Sequence, residues 1–453
     1  MIKPMEHQLE SLAFMADKPR VFDMSSPGTG KTFVEIEDFF RSYKDNNDKC
    51  LVLAPKSLLE SAWGEDIAKF RPELSYSVAW AENRAEAFEK DADIYITNID
   101  AATWLAKQPA KFFKRFDRLV IDESTNFKHP TSQRSKAVAK IAKHFGVRRC
   151  MSGTARGNKL TDIWHQAYIL DDGKRLGNSF FKFRAASCDP VQRGPGAAMV
   201  EWVERPGAAE AVATLLSDIS IRHELERCAD IPDNHQYTVA HKLPRKLQKV
   251  YNEMEMASVA EFKGKIISAP NAAVVANKLL QIASGAVYAP QDEEGEGSYQ
   301  LLDNSRYNLI GDLIEEREHS IVFFHWRHQR DELMRVCQAR NIPFCLYDGS
   351  VSDKTRAQVK KDYQAGFYQV MLAHPKSAGH GLTLTRGTAT IWASPTHNHE
   401  LFQQGLQRVY RNTQKQKTEN IIIVAPGTVD EFALARCLDR GIKATELHAY
   451  LGG

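Results

Sequence analysis

The residues whose types and spacing best suit chemistry lie between Val21 and Thr32, VFDMSSPGTGKT. An apolar run leads into Pro27-Gly28-Thr29-Gly30, small residues that let backbone N–H groups converge on an anion. The run FVEIEDFF behind them predicts a helix whose positive end faces the same point. Lys31 would then reach the β- and γ-phosphates of a nucleotide, and the Thr32 hydroxyl would hold Mg²⁺. The strict phosphate-loop pattern has glycine where Ser25 stands, and the alternative is an ordinary glycine turn with a solvated lysine. Upstream, the Gln8 amide offers one donor and one acceptor, which suits the edge of an adenine; a solvated helix glutamine is the plainer alternative.

Three further clusters have the residue types such a loop needs. RLVIDEST ends an apolar run on Asp122 and Glu123: the first carboxylate can coordinate Mg²⁺ while the second polarises a water for attack on the γ-phosphate. An acid pair that only caps the next helix is the alternative. In MSGTARGNKLTDIW, Ser152, Gly153 and Thr154 follow another apolar run, where hydroxyls can bond neighbouring carboxylates and sense the nucleotide. Near the C-terminus, QQGLQRVYRNTQ predicts Arg408 and Arg411 on one helical face, suited to stabilising charge on a γ-phosphate. Lys56 and Ser57, in LAPKSLLESAW, are placed to touch a phosphate backbone at a helix start.

The elements that must position these groups alternate. CLVLAP, DIYITN, RLVIDE and RRCMSG are short apolar runs separated by helix-length segments, and from about residue 304 a second series follows: SIVFFHW, PFCLYDG, YQVMLAH, TATIWAS and NIIIVAP. The pattern predicts an α/β chain of two lobes, each a mostly parallel sheet flanked by helices, with ligands at the carboxyl ends of the strands. The first lobe is expected over 1–232, with a Gly- and Pro-punctuated insertion near 177–207. The second is expected over 233–453, with a helical insertion near 240–300. Trp63, Trp164 and Trp392 fall in core-like patterns, whereas Trp326, between His325 and Arg327 at a strand end, is a candidate contact.

Composition bounds the reading. With 453 residues, 43% hydrophobic and 26% charged, the chain can bury full cores, and a net charge of +3 leaves any nucleic-acid partner to local basic patches. Seven scattered cysteines without a C-x-x-C pair argue against disulfides or a zinc module and predict reduced, buried thiols. The absence of a long apolar run and of a signal-like N-terminus predicts a soluble cytoplasmic protein.

In this order the motifs resemble those of superfamily II helicase-like ATPases of the Swi/Snf type, over nearly the whole chain. Pro4 to Gln8 resembles the glutamine motif, PGTGKT motif I, LAPKSLLESAW motif Ia, ITN at 96–98 the next strand-end motif, and DEST at 122–125 the DE box. SGTARGNKLTDIW resembles motif III, VFFHWR motif IV, SAGHGLTLT motif V, and Gln404, Arg408, Arg411 and Gln414 motif VI. DEST followed by Lys128 is similar to small phage-encoded members, which implies the host-cell cytoplasm. The box has Thr125 where many relatives have histidine, and motif V has His380 where many have glycine.

The resemblance implies two RecA-like lobes that hydrolyse ATP with Mg²⁺ between them and translocate on double-stranded or branched DNA, remodelling DNA or protein–DNA complexes. Possible protein partners belong to replication, recombination or repair. It further implies that Gln8, Gly28, Thr29, Gly30, Lys31, Thr32 and Gln404 bind ATP, and that Lys31, Asp122, Glu123, Arg408 and Arg411 are catalytic. Ser152, Gly153, Thr154, Gly379 and Gly381 would couple the lobes, and Lys56, Ser57, Thr97, Asn98, Trp326, Arg327 and Ser377 would grip DNA. Two alternatives stay open: a strand-separating DNA or RNA helicase, and a nucleic-acid-binding adaptor with a vestigial ATPase.

Overall fold

Runs rich in Val, Ile and Leu become strands buried on both faces when helices cover each side of a parallel sheet. A computed structural model describes residues 3–42, 49–153, 157–192, 200–228, 230–262, 269–289, 298–377, 384–396 and 398–451. The strands in chain order are β1 (Arg20–Asp23), β2 (Cys50–Ala54), β3 (Tyr76–Ala79), β4 (Ile94–Asn98), β5 (Arg118–Asp122), β6 (Val147–Met151), β7 (Cys188–Gln192), β8 (Val200–Glu204) and β9 (Ser220–Ile221). They continue as β10 (Asn234–Ala240), β11 (Ala286–Tyr288), β12 (Tyr299–Leu301), β13 (Ser320–Phe323), β14 (Phe344–Tyr347), β15 (Val370–Ala373), β16 (Ala389–Trp392) and β17 (Thr418–Val424).

Two compact units divide the chain. One comprises Met1–Asp189, Val203–Asp230 and Arg440–Gly453; the other comprises Pro190–Trp202 and Ile231–Asp439. The first unit holds a seven-stranded sheet in the order β3-β4-β2-β5-β6-β1-β9, with every neighbouring pair parallel. All five residues of β2 are buried, as its central place requires. Phe22, Leu51, Ile121 and Phe127 lie in the core on one side of this sheet, and Val52, Trp63, Ile96 and Val120 in the core on the other.

The second unit holds a six-stranded sheet, β10-β17-β16-β13-β15-β14, also parallel throughout. The helices Arg245–Phe262 and Ala269–Ala283, followed by the antiparallel pair β11–β12, precede its main βα series. Both units are thus RecA-like lobes, parallel sheets sandwiched by helices. Because each sheet is parallel, the carboxyl ends of all its strands share one edge, and that edge is where loops can gather.

Besides the two-stranded pairs β7–β8 and β11–β12, three strands of the large sheets escape the sequence pattern. β3 is short and half exposed, β9 has two residues, and β10 is an edge strand whose residues, NHQYTVA, are mostly exposed. Each is held by backbone pairing to a neighbour and carries little apolar signal of its own.

Candidate nucleotide and nucleic-acid site

The phosphate loop in the first unit starts where β1 ends. Asp23 Oδ1 accepts the Ser25 N–H at 2.8 Å, turning the chain as it leaves the sheet. Ser25 is buried, and its Oγ accepts the N–H of His223 at 3.0 Å, while the Ser26 N–H donates to the His223 carbonyl at 2.9 Å. The residue that departs from the strict glycine pattern therefore anchors the loop to the segment after β9. Gly28 and Gly30 have φ of +90° and +84°, the left-handed region.

A Cβ at Gly30 would collide with Gln8 Nε2, so glycine there also admits the helix Glu6–Met15. That helix closes over the loop: Gln8 Nε2 donates to the Thr29 carbonyl at 3.2 Å, and His7 Nε2 lies 2.8 Å from the same oxygen. Gln8 Oε1 accepts the Met5 N–H, so both ends of its amide meet protein groups. Lys31 opens the helix Lys31–Ser42 and folds back, its Nζ donating to the carbonyls of Ser25 at 2.6 Å and Ser26 at 3.2 Å. Thr32 is half-buried beside it.

Two neighbouring strand ends come to this loop. After β6, the Ser152 N–H donates to the Asp23 carbonyl at 3.0 Å, and a Cβ on Gly153 would run into the Pro27 ring. Thr154 lies outside the described residues. At the end of β5, Asp122 is buried and its Oδ2 accepts the indole N–H of Trp63 at 3.0 Å. Trp63 belongs to the π-helical turn Leu59–Gly64, which follows Lys56 and Ser57, both exposed at the end of β2. Glu123 takes φ 54° and ψ 57°, a left-handed conformation uncommon outside glycine. Next to it, Ser124 Oγ donates to Gln166 Oε1 at 2.7 Å, joining the acid pair to the helix Ile163–Asp171; the Thr125 hydroxyl is buried and has no hydrogen-bond partner among the described residues.

The helix behind the phosphate loop stands on buried charge. Arg118 of β5 and Arg149 of β6 both bond Asp38, at 2.6 and 3.1 Å, and Glu35 lies 4.0 Å from Arg149. Among the described residues neither Glu35 oxygen has a hydrogen-bond partner, and burial, outweighing the pull of Arg149, raises its carboxyl to about 8. Burial likewise pushes the Cys50 thiol beneath it up to about 12.

One expected phosphate contact is corrected. Thr97 is fully buried and its Oγ1 donates to the Ala79 carbonyl at 2.8 Å, because alternate strand residues face opposite sides and this one faces the core. Asn98, at the edge, accepts from Arg84 Nη2 at 3.0 Å, and the Arg84 guanidinium lies 5.7 Å from the Trp104 ring centre. Arg84 and His223 sit outside every motif read from the sequence, while His7 and Trp63 lie within motifs whose reading did not give them these partners.

In the second unit, Arg408 and Arg411 do not share a helical face. The helix His399–Leu406 ends before them, one residue past Gly405, whose Cα packs so close to Trp392 that a Cβ would lie 2.6 Å from its ring. Glycine is a poor helix former, and the chain turns here instead. Arg408 is buried with its Nε donating to the Gln404 carbonyl at 2.6 Å; Arg411 is half-buried with its Nε donating to Gln407 O at 2.8 Å. Gln404 is buried, and Gln414 staples this turn through the carbonyls of Thr385, Gly387 and Val409.

Trp326 is half-buried and stacked on His328, ring centres 5.9 Å apart, whereas Arg327 is exposed and Ser377 half-buried. Gly379, His380 and Gly381 lie outside the described residues.

Comparison with known proteins is decisive on family. The SNF2-related domain model matches residues 7–284, and the helicase conserved C-terminal domain model matches residues 305–413. The chain belongs to the SNF2-related family. This SNF2-family chain is 27% identical over 428 residues to protein p41 of Acyrthosiphon pisum secondary endosymbiont phage 1, covering 90% of the chain and 89% of p41. It is 25% identical to an uncharacterized ATP-dependent helicase of Mycoplasma pneumoniae, over 89% of the chain but 38% of that protein.

It also matches the ISWI chromatin-remodeling complex ATPase ISW1 of Saccharomyces cerevisiae at 22% identity, over 91% of the chain and 37% of that protein. Among solved structures, the Sulfolobus solfataricus SWI2/SNF2 ATPase core in complex with dsDNA aligns over 98% of the chain and 93% of its own length, with 20% identity and a TM-score of 0.45. The SNF2-family protein is thus a helicase-like ATPase that uses ATP and associates with nucleic acid. Its phosphate loop has the features that a polyphosphate needs, two left-handed glycines, a lysine and a helix start. Its Thr32 hydroxyl and Asp122 carboxylate are the hard oxygen donors that suit Mg²⁺. Among the described residues, no helix is long and apolar enough to cross a membrane.

Proposed function

We propose that this protein is an ATP-driven motor that translocates on double-stranded DNA and remodels DNA or protein–DNA complexes. The observation that carries the reading is the tie of the β6 loop to the phosphate loop, through Ser152 to Asp23 and Gly153 against Pro27, while Ser124 links the acid pair to Gln166. A cradle joined to its neighbours in this way can pass the state of the nucleotide into the rest of the lobe.

In this reading Gln8, Gly28, Thr29, Gly30 and Lys31 bind the nucleotide, with Gln404 serving from the second unit. Thr32 and Asp122 would hold Mg²⁺, whose charge would offset that of the β- and γ-phosphates. Glu123 orients the attacking water and takes its proton. Trp63 fixes the carboxylate of Asp122, and Arg408 and Arg411 supply positive charge to the transferring phosphoryl group. Ser152, Gly153 and Thr154 in the first lobe, with Gly379 and Gly381 in the second, couple the two. Lys56, Ser57, Asn98 and Arg84 in the first unit, and Arg327 and Ser377 in the second, contact phosphates, so binding is electrostatic and indifferent to sequence. The likeness to a phage protein supports the host-cell cytoplasm as its setting, and the likeness to a yeast chromatin-remodeling ATPase supports a motor acting on DNA.

The test is ATP hydrolysis with no nucleic acid, single-stranded DNA, duplex DNA, branched DNA and RNA, for wild type and Glu123→Gln. Duplex DNA is expected to stimulate wild type most, and the variant to lose about 10²- to 10⁴-fold, the usual worth of a general base. Stimulation by single strands alone would instead identify a strand-separating helicase. Duplex binding without hydrolysis would identify an adaptor.

A further inference from the structure

From Ser124 to Thr161 the chain has nine lysines and arginines and no aspartate or glutamate, in a protein whose net charge is only +3. Part of that charge is consumed inside the first unit. Arg148 and Arg149 are buried, Arg134 meets Asp100 at 3.3 Å and Lys128 meets Asp162 at 3.8 Å. Lys136, Lys140 and Lys143 are not consumed in this way. They lie on or just past the helix Gln133–Ala142 at spacings of four and three, which puts them on one face, and all three are exposed or half-exposed. Among the described residues none of them pairs with a carboxylate, and Lys140 donates only to the neutral carbonyl of Ala106, at 2.8 Å.

These lysines form one wall of a groove of about 390 Å³ whose other wall includes Trp164, Tyr168 and Asn178. The second wall is rigid and uncharged. The Trp164 and Tyr168 rings stack 5.3 Å apart, and the Trp164 indole N–H donates to the carbonyls of Leu176 and Gly177. Between them His165 is buried, with Nδ1 2.6 Å from the Phe127 carbonyl, and burial holds it neutral, down to about 4. Three uncompensated ammonium groups therefore face a preformed channel that has no counter-charge in its lining.

We propose that this groove is a nucleic-acid contact distinct from the strand-end loops, in which Lys136, Lys140 and Lys143 track the phosphates of one strand. The proposal rests on the reading of the protein as a DNA motor and adds to it a binding surface on the helical layer of the first lobe. Trp164 is too buried for a base to stack on it, so the groove recognises backbone charge and not sequence. The stretch from Lys136 to Lys143 rises about 10 Å, close to the axial length of three phosphate-to-phosphate steps on a strand. Lysine suits this use, since its point charge on a flexible stem needs no fixed geometry.

The experiment is equilibrium binding of random-sequence duplex DNA across a salt series by wild type, by Lys136→Gln/Lys140→Gln/Lys143→Gln, and by the corresponding triple arginine variant, with thermal melting of each. Affinity for wild type is expected to fall steeply with salt; in the glutamine variant the log–log slope should be shallower by about 2 to 3, since each phosphate that a lysine neutralises adds about 0.9 to it. The arginine variant should regain the wild-type slope, and melting temperatures should agree. A wild-type slope in the glutamine variant overturns the groove and leaves the motor reading standing. Wild type that shows no salt-dependent duplex binding overturns both. Loss of binding that arginine does not restore, with a lowered melting temperature, means damage to the fold and overturns the groove. Binding of a polyglutamate peptide that the glutamine variant alone loses, with duplex affinity unchanged, assigns the lysines to an acidic protein partner and likewise overturns it.

Discussion

Two strand–helix junctions, one after β1 in the phosphate-binding lobe and one after β13 in the second lobe, share a parallel sheet and a following helix and differ in how the chain crosses between them. After β1, the chain makes a glycine loop from Met24 to Gly30 before the helix begins at Lys31, and two left-handed glycines open it outward. After β13, the helix Arg327–Ala339 begins almost at once, and Gln329 Oε1 fills the junction by accepting the N–H groups of His325 at 2.7 Å and Trp326 at 3.4 Å. Gln329 is itself buried and fixed by Ser394. A helix start over a parallel sheet therefore becomes an anion site only when the protein leaves its donors to the ligand. At the β13 junction a side chain takes two of them, whereas at the β1 junction a glycine loop intervenes.

The comparison breaks most sharply at Gly30. Gly30→Ala would place a Cβ against Gln8 and hold a left-handed φ, a strain of about 1 to 3 kcal/mol, and calorimetric titration should show at least about tenfold weaker ATP binding. If the variant binds ATP as wild type does, the cradle is not where nucleotide sits.

A second difference lies beneath the junctions. The helix after the phosphate loop carries Glu35, buried and raised to about 8, whereas an unfolded glutamate titrates near about 4.3. Between those values the unfolded chain has lost the proton and the folded chain retains it, so the unfolded state binds fewer protons and stability falls as pH rises, until it levels off above about 8. Glu35→Gln removes that penalty. The melting temperature of the variant should match wild type below about pH 4 and exceed it by an amount that grows toward about pH 8. A difference that is constant with pH would mean that Glu35 is ionised in the fold.

The smallest effect is expected where the second lobe has closed its junction. Gln329→Ala strips two N–H groups of their acceptor and should cost about 1 to 2 kcal/mol in chemical denaturation, with ATP affinity unchanged. A marked loss of ATP binding would contradict the division of labour between the junctions.

Much of this organisation was legible in the sequence because parallel sheets write themselves as apolar runs. The strands β13 to β17 and the strands that end at the phosphate loop, Asp122 and Met151 follow those runs closely. β9 and β10 left no such trace, since one has two residues and the other is an exposed edge. In the site, residue types were readable but their partners were not. Trp63 looked like core and is core, yet its indole N–H reaches 59 residues along the chain to Asp122. Ser25 looked like a flaw in the loop and is its anchor to His223, 198 residues away. The arginine spacing at 408 and 411 predicted a shared helical face, but the helix ends at Leu406, beside the contact of Gly405 with Trp392, a packing fact that periodicity does not encode. Thr97 escapes a motif-based reading because one residue's shift along a strand exchanges the edge for the core.

The most direct test of the central claim is displacement of a third strand from a DNA triplex by the purified protein with ATP. Movement along the duplex predicts release that requires hydrolysis, is lost in Glu123→Gln, and leaves the two strands of the underlying duplex paired. Hydrolysis stimulated by duplex DNA without release of the third strand, or release accompanied by separation of the duplex, would contradict it.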